Sequence, residues 1–149
     1  MGIDIWSLIL QVATLVAVIV AAWQLLFHSR QMHREFESLY IARYWELMDR
    51  RSFRWVSSGG PRRADIVVIK GYLQLCEDEI DCRRIGRVTD STWKFWRAAI
   101  LSQAGGDHYR HVLDVSPKDD YPLVRELLHS GSSYDPLPRS WFWRKTHGL

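Results

Sequence analysis

Positive charge is missing from the start of this chain, because none of its 20 lysine and arginine residues precedes Arg30. Asp4 is the only charged side chain among residues 1–27. Residues 28–149 are polar and basic, so the chain joins two regions of different physical character. This contrast excludes a simple soluble protein of uniform composition, and the long apolar start excludes an intrinsically disordered chain.

Cysteine is scarce, with Cys76 and Cys82 as the two examples in the sequence. At this spacing on a helix they point about 120° away from each other, so a bridge would require a break in the helix. A disulfide-framed secreted miniprotein is therefore excluded. The sequence contains no CxxC pair and no repeated cysteine and histidine framework, which argues against a structural zinc site.

Convincing alternation of apolar and polar residues, the pattern typical of β-strands, is also missing. The glycine pairs at 59–60 and 105–106 fit neither the dinucleotide nor the phosphate-binding loop motif. The fold class is therefore predicted to be all-α, and no cofactor is predicted.

The segment Ile5–Phe27 contains 23 consecutive residues without a charge. A helix of this length extends roughly 34 Å, enough to cross a hydrocarbon core of about 30 Å with some tilt. Trp6 and Trp23 lie about 25 Å apart along its axis, as expected for aromatic side chains at the two interfaces. We predict a transmembrane helix over residues 5–27, preceded by a short extracytoplasmic segment, residues 1–4.

Two alternatives to a transmembrane helix were considered. A buried core helix of a soluble protein would need more covering residues than this chain offers. A cleavable signal peptide could end at the small residues 20–22, but residues 1–4 lack the lysine or arginine that secretory signals normally carry there. The apolar run also continues past that point to Phe27.

Basic residues follow the predicted span and do not precede it, which sets the predicted orientation. Arg30 and Arg34 stand immediately after the span, at positions where they would contact anionic headgroups. The positive-inside rule places the C-terminal domain in the cytoplasm and the N-terminus outside. The predicted location is the bacterial inner (plasma) membrane, crossed once, with the lipid bilayer as a partner.

Small residues recur on one side of the predicted span. Ala13, Ala17 and Ala21 follow a small-xxx-small pattern, and Gln11 extends this stripe toward the N-terminus. Such residues allow membrane helices to approach closely and to share hydrogen bonds. We call these four residues the alanine seam and predict that they mediate homo-oligomerisation; chance spacing of a common residue is the alternative.

Residues 28–131 are predicted to form a helical cytoplasmic domain of about four helices. The membrane helix is predicted to continue to about Val56, with aromatic side chains that pack on the next helices or, alternatively, line a ligand groove. Further helices are predicted at about 63–85, from Thr89 or Asp90 to Gly105, and at about 119–129, with a short helix or turn at 107–115.

Residues 132–149 are predicted to form an irregular aromatic and basic tail. It contains three adjacent aromatic residues and two cations, namely Trp141, Phe142, Trp143, Arg144 and Lys145. These side chains would either dock at the headgroups of an anionic leaflet or fold back into a groove between helices. The sequence leaves both alternatives open.

The chain resembles a family of small bacterial single-span membrane proteins with a helical cytoplasmic domain of unknown function. The resemblance covers roughly residues 8–104. It rests on four stretches and a tryptophan one turn later, namely REFESLY at 34–40, RYW at 43–45, YLQLCEDEI at 72–80, RIGRVTD at 84–90, and Trp93. The family pattern has a second aromatic residue and an acid where this chain has Leu75-Cys76-Glu77. The resemblance implies a fold and a location, and it implies no activity.

Three groups of residues were considered as chemical sites. His108 and His111, with nearby aspartates, could share a helix face toward a metal, but a third strong ligand is missing. The carboxylates at 77–81 could act in acid–base chemistry, but three arginines at 83–87 favour mutual neutralisation at a solvated helix end. Arg125 and His129 have one residue fewer between them than a helical ribonuclease motif requires.

The sequence therefore predicts no catalytic, cofactor-binding or metal-binding residue. Residues 28–149 carry 20 cations and 16 acids, net +4, in an interleaved order that argues against nucleic acid as a partner. We predict a non-enzymatic interaction or scaffold protein with an unknown cytoplasmic protein partner. The alternative is a membrane-tethered effector of a defence system, either an oligomeric pore or a degenerate helical nuclease.

Overall fold

The computed structural model describes residues 5–50, 63–147 and 149, apart from the side chains of residues 26, 29, 30 and 146. The described residues are helical and contain no strand, which confirms the all-α prediction. The helices are α1 (Ile5–Asp49), α2 (Arg63–Arg84), α3 (Asp90–Ala104), α4 (Asp107–Val115), α5 (Pro122–Ser130), a 3-10 turn (Gly131–Ser133) and α6 (Trp141–Thr146).

Helix α1 is continuous over 45 residues and has two halves of different character. Its segment Ile5–Leu25 has a mean hydropathy of 2.4, and none of it is buried in the protein. The second half packs against α2, and Tyr40 is buried there with its hydroxyl 3.3 Å from the Cys82 sulfur. The predicted continuation of α1 as far as Val56 falls outside the described residues.

Helix α2 is the centre of the bundle and contacts α1, α3, α4 and α5. Its apolar stripe is buried at Ile69, Leu73, Cys76 and Ile80, each of which is 0% exposed. Because apolar residues recur on this helix at intervals of three and four, they form one continuous face toward the core. Helix α2 therefore organises the packing of the other helices.

The turn between α2 and α3 follows the sequence prediction closely. Gly86 has a φ of 77°, and the amides of Gly86 and Arg87 donate to the carbonyls of Arg83 and Cys82, a common way to end a helix. Thr89 is the N-cap of α3, where its side chain accepts a hydrogen bond from the Thr92 amide.

Two boundaries differ from the prediction. Helix α5 begins at Pro122 instead of Asp119, because Tyr121 adopts the left-handed conformation with φ 58° and interrupts the helix there. In the tail that was predicted to be irregular, Trp141–Thr146 forms α6. Its N-cap is Ser140, whose hydroxyl accepts from the Trp143 amide.

Candidate functional site

The first candidate surface is the apolar half of α1. Trp6 and Trp23 are 74% and 70% exposed, and the large apolar residues between them are also exposed. Exposure of so large an apolar surface to water is unfavourable. Such a helix is therefore stable only when lipid or another apolar surface covers it. The length and composition of Ile5–Leu25 are sufficient to cross a membrane.

The alanine seam lies within this exposed half, and all four of its residues are exposed. The neighbouring Thr14 hydroxyl donates to the Leu10 carbonyl at 2.8 Å, so it needs no partner from a second helix. Gln11 makes no side-chain hydrogen bond to any other described residue. On the continuous helix α1, Gln11 lies about 120° around the axis from Ala17 and about 160° from Ala13, so its amide does not share the face formed by the three alanines.

The part of α1 that follows the apolar segment is joined to the bundle by polar contacts. The Glu37 carboxylate accepts from the amide and the hydroxyl of Thr89, at 3.0 and 2.9 Å. The His33 ring lies 2.9 Å from the Arg87 carbonyl oxygen and 3.4 Å from the His147 carbonyl oxygen. Since His33 contacts both the α2–α3 turn and the tail, it connects α1 to two segments of the domain.

The two predicted interfacial arginines are placed differently. Arg34 is exposed on α1, one residue after His33. The side chain of Arg30 lies outside the described residues. Arg34 lies about 13 Å beyond Leu25 along the helix axis.

The predicted tail residues divide into an inward set that packs on the bundle, Trp143 and Arg144, and an outward set on the surface, Trp141, Phe142 and Lys145. Trp143 stacks on His147 with ring centroids 3.9 Å apart, and a Cβ added at Gly86 would lie 3.3 Å from the Trp143 ring. Trp141 and Phe142 are 70% and 71% exposed. Trp143 therefore packs on the α2–α3 turn, which has room for it because residue 86 is glycine.

Arg144 belongs to the inward set and joins a charge cluster around Arg83. It lies 3.0 Å from Asp135 and 3.3 Å from Asp90, while Lys145 lies over the exposed Trp141 ring. Trp143 and Arg144 thus follow the prediction of packing on the bundle. Trp141, Phe142 and Lys145 remain on the surface, as docking on a membrane would require.

Arg83 is the largest fully buried side chain among the described residues. It donates to both carboxylate oxygens of Asp135 at 2.9 and 2.7 Å, to Asp90 at 2.5 Å and to the Val88 carbonyl at 2.8 Å. Burial by itself raises the pKa of Asp135, but hydrogen bonds from Arg83 and the Leu137 amide outweigh it and lower that pKa. The cluster joins α2, α3 and the tail.

The acidic run at 77–81 does not form the solvated, mutually neutralised helix end that the sequence predicts. Glu77 accepts from the amides of Leu123 and Val124, both at 2.9 Å, and so caps the N-terminus of α5. Asp81 pairs with Arg84, whereas Arg83 pairs with aspartates outside the run. The carboxylates therefore have separate roles, because successive helix residues face different neighbours.

A groove of about 360 Å³ lies between α1, α2 and α3. Its apolar wall includes aromatic side chains from all three helices, namely Tyr44, Trp45, Tyr72, Phe95 and Trp96. We call it the aromatic groove. The volume is within the range of about 300–1,000 Å³ typical of small-molecule pockets. The sequence predicts a ligand groove near Tyr44 and Trp45 as an alternative to packing. Tyr40 packs in the core, whereas Tyr44 and Trp45 line the groove.

Glu79 is the one acidic side chain that lines the aromatic groove, as far as the described residues show. It is 7% exposed, and its carboxyl group has no hydrogen bond or ion pair to another described residue. Burial raises the pKa of Glu79 to about 8, and the nearby charge of Asp78 adds to this effect. Sequence reasoning missed this residue because Glu79 looks like one member of an acidic run.

The other chemical candidates have structural explanations or lack ligands. Arg125 donates to the carbonyls of Leu113 and Asp120, at 2.5 and 2.9 Å, and so stabilises the turn between α4 and α5. In the part of the chain that the structure describes, no three histidine, cysteine or acidic side chains are grouped as a metal site would require. His108 and His111 therefore gain no third ligand there.

Comparison of the chain with protein-family models, curated proteins and solved structures finds no match in any of the three.

Proposed function

We propose that this protein is a membrane-anchored helical domain that acts as a non-enzymatic interaction or scaffold protein at the cytoplasmic face of a bacterial plasma membrane. The observation that supports this most directly is the composition of α1. One unbroken helix contains an exposed apolar segment of 21 residues and then becomes part of the bundle core.

The contacts of α1 support a role as more than a tether. Glu37 binds the N-cap of α3, and His33 contacts both Arg87 and the tail. A continuous helix with such contacts holds the bundle at a defined rotation about the helix axis. A partner in the cytoplasm would therefore meet the bundle in a fixed orientation to the membrane.

The exposed half of α6 supports a second contact with lipid. His33, which contacts the carbonyl of His147, lies eight residues after Leu25, about 12 Å along the axis. The tail is thus held at the membrane-proximal end of the bundle. We propose that Trp141, Phe142 and Lys145 insert at the headgroup level, where aromatic and cationic side chains are stabilised.

Membrane insertion and orientation are tested with fusions to the C-terminus of the full chain. A fluorescent protein fused there is expected to fluoresce in the membrane fraction, and alkaline phosphatase fused there is expected to be inactive. Active phosphatase would overturn the cytoplasmic location. A mature protein that has lost its residues before Trp23 would show that the apolar segment is a cleaved signal peptide.

Self-association through the alanine seam is tested with Ala17→Leu. The larger side chain is expected to keep two helices apart, so the signal in a membrane two-hybrid assay should fall severalfold and the mass of the detergent-solubilised protein should decrease. Val12→Leu is the matched control, because Val12 lies about 140° around the helix from Ala17. Equal association of both variants and the unaltered chain would show that the seam is not an interface.

A further inference from the structure

The aromatic groove combines a partly open apolar surface with one buried acidic group. Tyr44 and Trp45 come from α1, Tyr72 and Glu79 from α2, and Trp96 from α3. The rings of Tyr44 and Tyr72 meet edge to face, with centroids 6.1 Å apart, and those of Tyr44 and Trp45 lie 5.4 Å apart. Their arrangement leaves a space of about 360 Å³ next to the carboxyl group.

The burial of Glu79 has no compensation among the described residues. An unpaired polar group in an apolar site is costly, and native structures normally supply a hydrogen-bond partner or an opposite charge. Arg83, one turn later, is fully paired by Asp90 and Asp135 and is not available to Glu79. The Glu79 oxygens are not among the fully enclosed unpaired atoms of the described residues, so they are reached from the groove. A positive charge that enters the groove would therefore compensate the Glu79 carboxylate.

We propose that the aromatic groove binds a small organic cation with an apolar body, whose positive charge pairs with the Glu79 carboxylate. Aromatic faces attract cations, with tryptophan the strongest and tyrosine also effective. Trp45 and Trp96 with the two tyrosines provide this environment, and the apolar walls receive the body of the ligand. Binding in the groove is independent of the proposed self-association, whereas the choice of a soluble ligand rests on the proposed membrane anchoring.

The ligand is expected to arrive from solution and not from the bilayer. Ile41, the first α1 residue of the groove, lies 16 residues after Leu25. Along a straight helix this separation is roughly 24 Å, which is beyond the reach of a lipid headgroup. The chemical class is therefore a soluble primary or quaternary ammonium compound with an aromatic or branched apolar group.

Binding of a cation should be coupled to release of a proton. On α2, the titratable groups that face Glu79 are Tyr72, Cys76 and Asp78, and α1 contributes Tyr44. Helix α3 contributes no ionisable side chain to the groove. With a pKa of about 8, Glu79 is mostly protonated at neutral pH. The apparent affinity for a cation should then rise about tenfold per pH unit up to about pH 8 and level off above it.

The test measures binding of benzyltrimethylammonium to the full-length protein in detergent micelles by titration calorimetry between pH 6 and pH 9. This probe keeps its charge at every pH, so the pH dependence reports the protein. Glu79→Gln is expected to bind the probe at least about tenfold more weakly at pH 9 and to lose the pH dependence. Benzyl alcohol, which is uncharged, is expected to bind more weakly than the probe.

Asp78→Asn is the matched control, because this acid lies next to Glu79 but outside the groove and bonds to Gln74 instead. It should bind the probe as the unaltered chain does at pH 9, with the transition shifted to lower pH because a negative charge near Glu79 is removed. Circular dichroism confirms that each variant is folded. Absence of probe binding at millimolar concentration, equal binding by folded Glu79→Gln, or tighter binding at pH 6 than at pH 9 would overturn the proposal.

A lysine side chain of another protein carries the same positive charge as the proposed ligand and is a second source of a cation for the groove. N-acetyl-lysine methylamide distinguishes this source, because its flexible chain fills the apolar walls less well than the aromatic probe. Weaker binding than benzyltrimethylammonium is expected. Tighter binding would overturn the assignment to a small soluble cation.

Discussion

Arg83 and Glu79 lie one helical turn apart on α2, and both are buried ionisable side chains. Arg83 has two carboxylates and a carbonyl as partners, so its charge is compensated. Glu79 faces the aromatic groove without such partners among the described residues. The ion pairs of Arg83 hold three segments of the fold together, whereas no described residue neutralises the charge of an ionised Glu79.

Substitution of Arg83 should be costly. Arg83→Met is expected to lower the free energy of unfolding by about 2–4 kcal/mol, because Asp135 and Asp90 lose their buried partner, although both remain partly exposed. Arg84→Met is the comparison, since the surface pair of Arg84 with Asp81 should contribute no more than about 1 kcal/mol. Urea unfolding followed by tryptophan fluorescence measures both. Similar losses for the two variants would contradict the importance of burial.

Glu79 should make the ligand-free protein less stable as the pH rises. An acid whose pKa is raised on folding retains its proton in the folded state, so stability is greatest below the unfolded pKa of about 4.5 and falls until the folded pKa of about 8. Glu79→Gln removes this loss and is expected to be more stable than the unaltered chain at pH 8.5, by on the order of 4 kcal/mol, with little advantage at pH 4. Thermal unfolding at the two pH values measures the difference. The same advantage at both would show that the carboxyl charge is not the cause.

At the scale of the helices, α5 depends on a residue of another helix for its start. Its N-cap, Tyr121, supplies no side-chain hydrogen bond, and Glu77 of α2 accepts from the amides of Leu123 and Val124 instead. A carboxylate at this position satisfies orphan amides and interacts favourably with the helix dipole. Helix α5 is thus attached to α2 at its first turn as well as by apolar packing.

Glu77→Ala should therefore loosen α5 specifically. Loss of the cap is expected to lower the free energy of unfolding by about 1–2 kcal/mol and to speed hydrogen exchange at the amides of Leu123 and Val124. Asp78→Ala removes an adjacent carboxylate that bonds only to Gln74 among the described residues, and it should leave exchange in α5 unchanged. Unchanged exchange in the Glu77 variant would exclude this capping role.

The local features of the helices were predictable from sequence, and the distant ones were not. The apolar stripe of α2, the N-cap Thr89 and the turn at Gly86 each depend on residues a few positions apart. The cap of α5 by Glu77 and the burial of Arg83 depend on residues 46 and 52 positions away. Periodicity carries no information at such separations, so the charged residues at 77–87 were read as one solvated cluster.

The structure of the tail also depends on distant contacts that local sequence patterns do not predict. Pro136 and Pro138 made residues 132–149 look irregular, yet Ser140 caps a short helix that Gly86 and the Arg83 cluster hold in place. The aromatic groove was equally hidden, because its walls come from three helices. The apolar segment of α1, by contrast, was evident from the sequence, since a long run without charge has few other uses.

At the scale of the whole molecule, α1 extends from the exposed apolar segment to the wall of the aromatic groove. The bundle packs against its second half through α2, so the proposed membrane anchor and one wall of the proposed binding site belong to the same helix. No loop intervenes between them within Ile5–Asp49. Any rotation of the apolar segment about its axis would therefore turn the bundle with it.

The helical geometry of α1 determines how the aromatic groove and the alanine seam are placed relative to each other. Tyr44 follows Ala17 by 27 residues, which is about seven and a half turns, and so lies on the opposite side of α1. Trp45 lies only about 80° around the helix from Ala17, so the groove opens at the flank of the alanine seam. Two chains joined along the seam would each keep all the groove residues, and saturation would occur at one cation per chain.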